Sequence, residues 1–394
     1  MTTLARHGPA SAGIDKLGVV VAVLGAFALF AQPFLIFRAN RIVPGEPVAA
    51  WTALGTPGIG LVAVLAVALL ALSLRTPLVW RFVVAGLALA VLAVGMGVGA
   101  SALIPDGESY ARVSPGAGPW LLVFVFTLAA TDALARLKLG PLARVAVLAV
   151  VIVVLGVILV SGLWDDLAVL REYQGRQAAF WRELETHLLL AVGSVAAAVL
   201  VGLPLGIVCY RVPRIRAAVL GSLNFIQTIP SLALFGLLIA PMAWVGANVP
   251  GAGALGIAGI GFAPAFVALF AYSLLPVVSN TVVGLDGVPR EADEAARGMG
   301  MTDIQRLARV QLPLAFPVIL TGIRIILVQN IGLTVIAGLI GGGGLGTFVF
   351  QGIAQMAMPL VLLGAIPAVA MAFAAAILLD AAVELSRSGH GGAS

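Results

Sequence analysis

Charge is what this chain has least of. Only 39 of its 394 residues are Lys, Arg, Asp or Glu, 10% where a soluble domain carries about 25%. Apolar residues reach 61%, so water is excluded as the principal solvent and a bilayer takes its place. The single cysteine, Cys209, excludes an intramolecular disulfide and a thiolate-built metal site, and reads as a small packing residue. The three histidines, His7, His187 and His390, are scattered and accompanied by no Ser-His-Asp or paired-carboxylate arrangement. No catalytic residue and no metal are therefore expected. Lys16 and Lys138 are the only lysines, and neither sits in a G-x-x-x-x-G-K-[ST] stretch. That excludes a phosphate-gripping loop, and no cofactor is expected on this polypeptide.

Long apolar runs are abundant instead. A span needs about 17–25 apolar residues to cross about 30 Å of hydrocarbon. Ten runs qualify, at approximately 17–37, 57–74, 82–104, 119–134, 142–163, 187–210, 217–241, 262–285, 314–339 and 359–381. The expected class is an all-α, polytopic membrane protein of about ten transmembrane helices. A short basic leader with Arg6 and Lys16 precedes the first run, which no clear A-x-A site follows, so it is read as a retained span.

The net charge of +5 is spread over many short loops and forms no stripe, which argues against nucleic acid as a partner. Orientation accounts for it better. With the N-terminus inside, 15 Lys and Arg fall in cytoplasmic segments and six, Arg38, Arg41, Arg112, Arg171, Arg176 and Arg182, in outer ones. Both termini are then cytoplasmic.

The chain reads as four parts. Residues 1–163 hold about five spans rich in small and aliphatic residues, with almost no polar side chain deep inside. No role is assigned to them. Residues 164–186 form a charged connector on the outer face, with Leu167, Leu170, Tyr173, Phe180, Trp181 and Leu184 partly at helical spacing. An amphipathic helix leading into the sixth span, a solvated connector and a docking edge for an extracytoplasmic partner all fit it. Residues 187–382 hold about five more spans in which Gln227, Asn280, Arg324, Gln329 and Asn330 interrupt the apolar background. Residues 383–394 are a cytoplasmic tail.

Against this scarcity of charge, eight charged residues fall in the twenty positions from Arg290 to Arg309, seven of them within EADEAARGMGMTDIQRLARVQLP, 291–313. Pro289 suits a first helical position, and Glu291, Asp293 and Glu294 suit the early turns, where the helix dipole favours negative charge. Arg297 comes near the end, followed by Gly298 and Gly300. Thr302 and Gln305 then form a capping box that opens a second helix, running to Pro313 at the entry of the ninth span. Asp293 and Arg297, four apart, can pair for only about 0.3–0.5 kcal/mol, too little to explain so many charges.

The spacing Glu294-Ala295-Ala296, three residues, Gly300, nine residues, Val310, one residue, Leu312-Pro313 resembles the EAA loop of permease subunits of ATP-binding-cassette importers, whose pattern is EAA-x3-G-x9-I-x-LP. Only Val310 departs from it, conservatively. NFIQTIPSLALFGLLI (224–239), YSLLPVVSNTVVGL (272–285), LPLAFPVILTGIR (312–324) and IGGGGLGTFVFQGI (340–353) resemble the osmoprotectant branch, permeases for glycine betaine, choline and related quaternary ammonium compounds. This covers roughly residues 185–382.

The resemblance implies a type I importer permease core of about five helices, preceded by about five additional spans, in a bacterial inner membrane. It implies that the 286–313 loop couples to ATPase subunits through Asp293, Glu294, Ala295, Ala296, Arg297, Gly300, Leu312 and Pro313. It implies further partners: a second permease copy or a related chain, an extracytoplasmic substrate-binding protein and the lipid bilayer, with ATP bound by the partner ATPase.

Aromatics make up only 7% and do not cluster into a cage for a quaternary ammonium ion, so tight recognition is expected on the binding protein. The permease then offers a route whose candidate lining is Gln227, Asn280, Arg324, Gln329 and Asn330. For the amides, interhelical hydrogen bonding is the competing role. Arg324, inside a span, needs a partner or a cavity. GGGGLG (341–346) is expected to serve tight packing or a short re-entrant turn rather than phosphate. A secondary transporter driven by an ion gradient is the alternative, but Asp132, Asp286 and Asp380 all lie at span ends, where coupling carboxylates are not expected. A non-transporting scaffold would leave the loop spacing unexplained.

Overall fold

The computed structural model describes residues 13–40, 43–105, 108 and 110–391, with side chains as far as 387. Arg6, His7, Arg41 and the His390 side chain lie outside the described residues. Contacts divide the chain into two compact units, residues 1–140 with 150–174, and residues 141–149 with 175–394.

The first unit begins with α1 (Lys16–Phe30), β1 (Leu35–Arg38), β2 (Glu46–Val48), α2 (Ala50–Leu54), α3 (Thr56–Ser73), α4 (Leu78–Leu103), β3 (Arg112–Pro115) and α5 (Ala117–Leu137). The next helix, α6 (Pro141–Val160), is shared between the units, and α7 (Ala168–Gln174) closes the first. The expected first span is corrected at its end. Pro33 forbids helix in the residue before it, α1 stops at Phe30, and β1 begins two residues after the proline. At 15 residues α1 is about 22 Å long, short of a full crossing. The all-α expectation holds apart from one small antiparallel sheet, ordered β2-β1-β3, in which Leu35 lies opposite Val48 on one side and Pro115 on the other.

Leu65, Leu69 and Leu72 of α3, Leu92 of α4, and Leu122 and Phe126 of α5 are buried in one apolar cluster. Helices α1 and α3 meet backbone to backbone, for a Cβ on Gly18 would sit 2.0 Å from the Leu72 carbonyl oxygen. Asp15 caps α1 by accepting from the Gly18 amide at 3.0 Å, and it pairs with Arg81 at 2.7 Å. Burial pushes the Asp15 carboxyl up, but the hydrogen bonds from Arg81 and Gly18 and the charge of Arg81 outweigh it, and the group sits below its ordinary value.

The second unit contains α8 (Gln177–Arg211), α9 (Pro213–Thr228), α10 (Ser231–Leu237), α11 (Ile239–Asn248), a 3-10 turn (Gly253–Leu255), α12 (Phe262–Asp286), α13 (Arg290–Gly298), α14 (Asp303–Arg306), a π-helical turn (Leu307–Gln311), α15 (Leu312–Ala337), α16 (Gly346–Ala354) and α17 (Met358–Gly391). Its centre is α12, packed on α8 and α15. Gly202 and Gly206 of α8, four residues apart, let that helix approach Val277 and Thr281 of α12 closely, the small-residue packing that membrane helices use in place of hydrophobic drive. Among the described residues nine helical segments are long and apolar enough to cross a membrane.

One further expectation is corrected. The seventh run, 217–241, is not one helix: α9 ends at Thr228, Ile229 is extended (ψ 127°), and Pro230 precedes α10. The Ile229-Pro230 pair cannot stay helical. The connector is helical in two pieces, for α7 ends at Gln174 and α8, which begins at Gln177, takes its last ten residues on into the sixth span.

Candidate functional site

The polar stretch folds as a helical hairpin. Pro289 stands at the N-cap of α13, one residue ahead of the first helical position expected for it. Gly300 turns the chain with φ +78° and open space where a Cβ would point. Thr302 accepts from the Gln305 amide at 3.3 Å and Gln305 Oε1 accepts from the Thr302 amide at 2.9 Å, the expected capping box. Pro313 does not break the chain's direction. The π turn carries α14 into α15, with the Leu312 amide reaching back five residues to the Leu307 carbonyl, and the missing Pro313 amide falls in the first turn of α15.

Asp293 is the keystone of this hairpin, and its expected pairing with Arg297 is corrected. Its Oδ2 accepts from Arg306 at 3.2 Å and its Oδ1 from Gln311 Nε2 at 2.8 Å, so it ties α13 to both α14 and the π turn. Arg306 also holds Asp303 at 2.9 Å, and Arg211, at the end of α8, donates to the Asp303 carbonyl at 3.3 Å. Ala296 is buried. Glu294, Ala295, Arg297, Met299 and Ile304 are left pointing outward, with Met299 and Ile304 about three-quarters exposed. An exposed methionine and isoleucine on an otherwise charged hairpin are groups that gain by being covered. Sequence spacing located the hairpin but gave no sign of Arg211, Arg306 or Gln311, whose partners are distant along the chain or set by the π turn.

The polar residues of the spans are not brought together into one site. Pro276 has no amide hydrogen for the Tyr272 carbonyl four residues earlier, and Gln227 Nε2 of α9 fills that vacancy at 2.8 Å. The Tyr272 hydroxyl in turn donates to the Ile229 carbonyl at the α9 break. Asn280 donates to the Pro276 carbonyl of its own helix at 2.8 Å. Asn330 is buried at the α8–α12–α15 crossing, donating to Ser194 at 2.9 Å and Ser273 at 2.8 Å. Arg324, about 18 Å along α15 from its start, donates to Asp380 of α17 at 2.7 Å, the partner its position demanded. Gln329 alone of the five is exposed, on one face of α15 with Ile325 and Gly332.

The glycine-rich loop packs tightly. A Cβ on Gly346 would lie 1.9 Å from the Val335 carbonyl oxygen. Glu183 Oε2 accepts from the Gly344 amide at 2.8 Å, and His187 Nδ1 accepts from the Leu345 amide at 3.3 Å. The His187 proton must therefore sit on Nε2, which faces the Ile331 carbonyl at 3.1 Å. Glu183 and His187, one turn apart on α8, thus staple the loop to that helix, a role their sequence positions did not announce.

Residues 198–388 match the family described as binding-protein-dependent transport system inner membrane component, and residues 15–170 match ABC transporter permease YehY, N-terminal domain. The osmoprotectant import permease protein OsmW of Salmonella typhimurium is 42% identical over 194 residues, which is 49% of this chain and 83% of that protein. The choline transport system permease protein OpuBB of Bacillus subtilis is 37% identical, over 47% of this chain and 78% of its own length. The glycine betaine/carnitine/choline transport system permease protein OpuCB of the same organism is 36% identical over the same shares. A chain of a solved structure described as inward-facing conformations of the MetNI methionine ABC transporter is similar over 52% of this chain and 94% of its own, at 23% identity and a TM-score of 0.46. The assignment rests on the sequence matches, and it removes the ion-gradient-driven alternative. The chain belongs to the inner-membrane permease family of binding-protein-dependent, ATP-binding-cassette importers, a multi-pass membrane component that is not itself an enzyme.

Proposed function

We propose that this chain carries glycine betaine, choline or a related quaternary ammonium osmoprotectant from an extracytoplasmic binding protein into the bacterial cytoplasm. The observation that carries the substrate class is the 42% identity to an osmoprotectant permease across 83% of that relative. ATP is bound and hydrolysed by separate ATPase subunits, and a second permease, a copy or a related chain, completes the pathway. The ATPase grips the hairpin of α13 and α14 from the cytoplasm. The outward-pointing Glu294, Ala295, Arg297, Met299, Gly300 and Ile304, on a frame braced by Asp293, support that contact. Leu312 and Pro313 join the frame to α15, so a pull on the hairpin moves that span. The distribution of Lys and Arg supports cytoplasmic termini in an inner membrane.

Of the candidate pathway residues, Gln329 has the open surface that a lining role needs, whereas Gln227, Asn280 and Asn330 are engaged in the hydrogen bonds that hold the helices. The test is uptake into vesicles containing the permease, its ATPase and its binding protein. ATP-dependent accumulation of glycine betaine or choline that vanadate abolishes and an ionophore spares is expected. Accumulation that an ionophore abolishes, or none of either compound, overturns the proposal.

A further inference from the structure

Asp380 of α17 holds a different arginine on each carboxylate oxygen. Oδ1 accepts from Arg324 of α15 at 2.7 Å and Oδ2 from Arg144 of α6 at 2.6 Å. The second terminal nitrogen of Arg144 donates to Glu384, one helical turn farther along α17. Two cations and two anions thus join three helices. The first turns of α6 group with the second unit, so the cluster lies within it.

Lateral packing between spans needs no ion pairs, since small residues serve that purpose, as where α8 meets α12. Helix α6 has no buried residue at all, so apolar packing does not hold it, and Arg144 is the tie that the described contacts give it. Helix α15, at the other side of the cluster, continues directly from the hairpin through the π turn.

We propose that Arg144 is a positioning residue for transport: through Asp380 it sets where α15 rests against α17, and so how hairpin movement is passed on to the pathway. The inference rests on the hairpin being the ATPase contact. One carboxylate accepts from two guanidinium groups only in a narrow placement of three helices. When the hairpin draws on α15, Arg324 leaves Asp380, while Arg144, anchored also by Glu384, keeps the carboxylate aimed for its return. Without Arg144, Asp380 follows Arg324 as a simple pair, α17 moves with α15, and hydrolysis proceeds with less substrate moved.

The test measures glycine betaine or choline taken up per ATP hydrolysed, using the complete transporter in vesicles. Arg144→Gln lowers that ratio about fivefold or more with hydrolysis retained, and Arg144→Lys, which keeps the charge, restores most of it. Arg144→Gln combined with Asp380→Asn transports no worse than Asp380→Asn alone, because both act through one carboxylate. Should Arg144→Gln fail to insert, Glu384→Gln, which removes the second anchor, shifts the ratio in the same direction. An unchanged ratio in these variants beside an active wild type overturns the inference. So does a loss that follows thermal stability alone and that lysine does not mend. A wild type that takes up neither compound overturns the underlying functional reading, and this inference with it.

Discussion

At the scale of single residues, Asp293 decides the shape of the hairpin. Its carboxylate has Arg297 available one turn away, yet it accepts from Arg306 and Gln311, which the fold of the hairpin brings against it from α14 and the π turn. Asp293→Ala should destabilise the hairpin by about 1–2 kcal/mol, read as faster amide exchange in α14 and the π turn with the spans unaffected. Gly300 sits in the left-handed region with open space around it, so what restricts substitution there is backbone strain and not crowding. Asp tolerates that region better than branched residues do. Gly300→Asp should leave the protein in the membrane while ATP-driven uptake falls about tenfold, whereas Gly300→Val should also reduce the folded amount.

Asp15 carries a pH dependence of its own. Its folded pKa lies below the unfolded one, so ionised Asp15 contributes stability above the ordinary carboxylate value of 3.8, and that contribution is lost as pH falls through the folded pKa. Thermal unfolding followed downward from about pH 5 should show a loss in the wild type that is smaller in Asp15→Asn.

At the scale of elements, prolines create defects and distant side chains repair them. Pro276 releases the Tyr272 carbonyl inside α12, and Pro230 separates α9 from α10; Gln227 and Tyr272 close both breaks against each other. An unpaired carbonyl in apolar surroundings is expensive, so Gln227→Leu should cost about 1–3 kcal/mol in thermal unfolding of the purified protein, although leucine is the more lipophilic residue. A proline in a span therefore indicates where to look for a missing partner, but not which residue fills the place. The same limit applies to the sheet of the first unit. Its strands are three and four residues long, too short for alternation to register, and β1 lay hidden at the end of an apolar run.

At the scale of the whole molecule, the distribution of arginines supports the proposed orientation. A fluorescent protein fused to the C-terminus should fold and fluoresce, while an alkaline phosphatase fusion there should be inactive, because 15 of the 22 basic residues lie on the side assigned to the cytoplasm. Most of the spans, the helix–turn–helix of the hairpin with its glycine turn, and its capping box were within reach of the sequence. Each is settled by the lipid's demand for internally satisfied backbone or by residues within five positions of one another. The tertiary structure alone decided that Asp293 meets Gln311, that Gln227 serves the Tyr272 carbonyl, and that Arg324 shares Asp380 with Arg144. Those pairings join residues 18 to 236 positions apart, and which charge or amide meets which is set by how the helices pack, a matter on which local periodicity is silent.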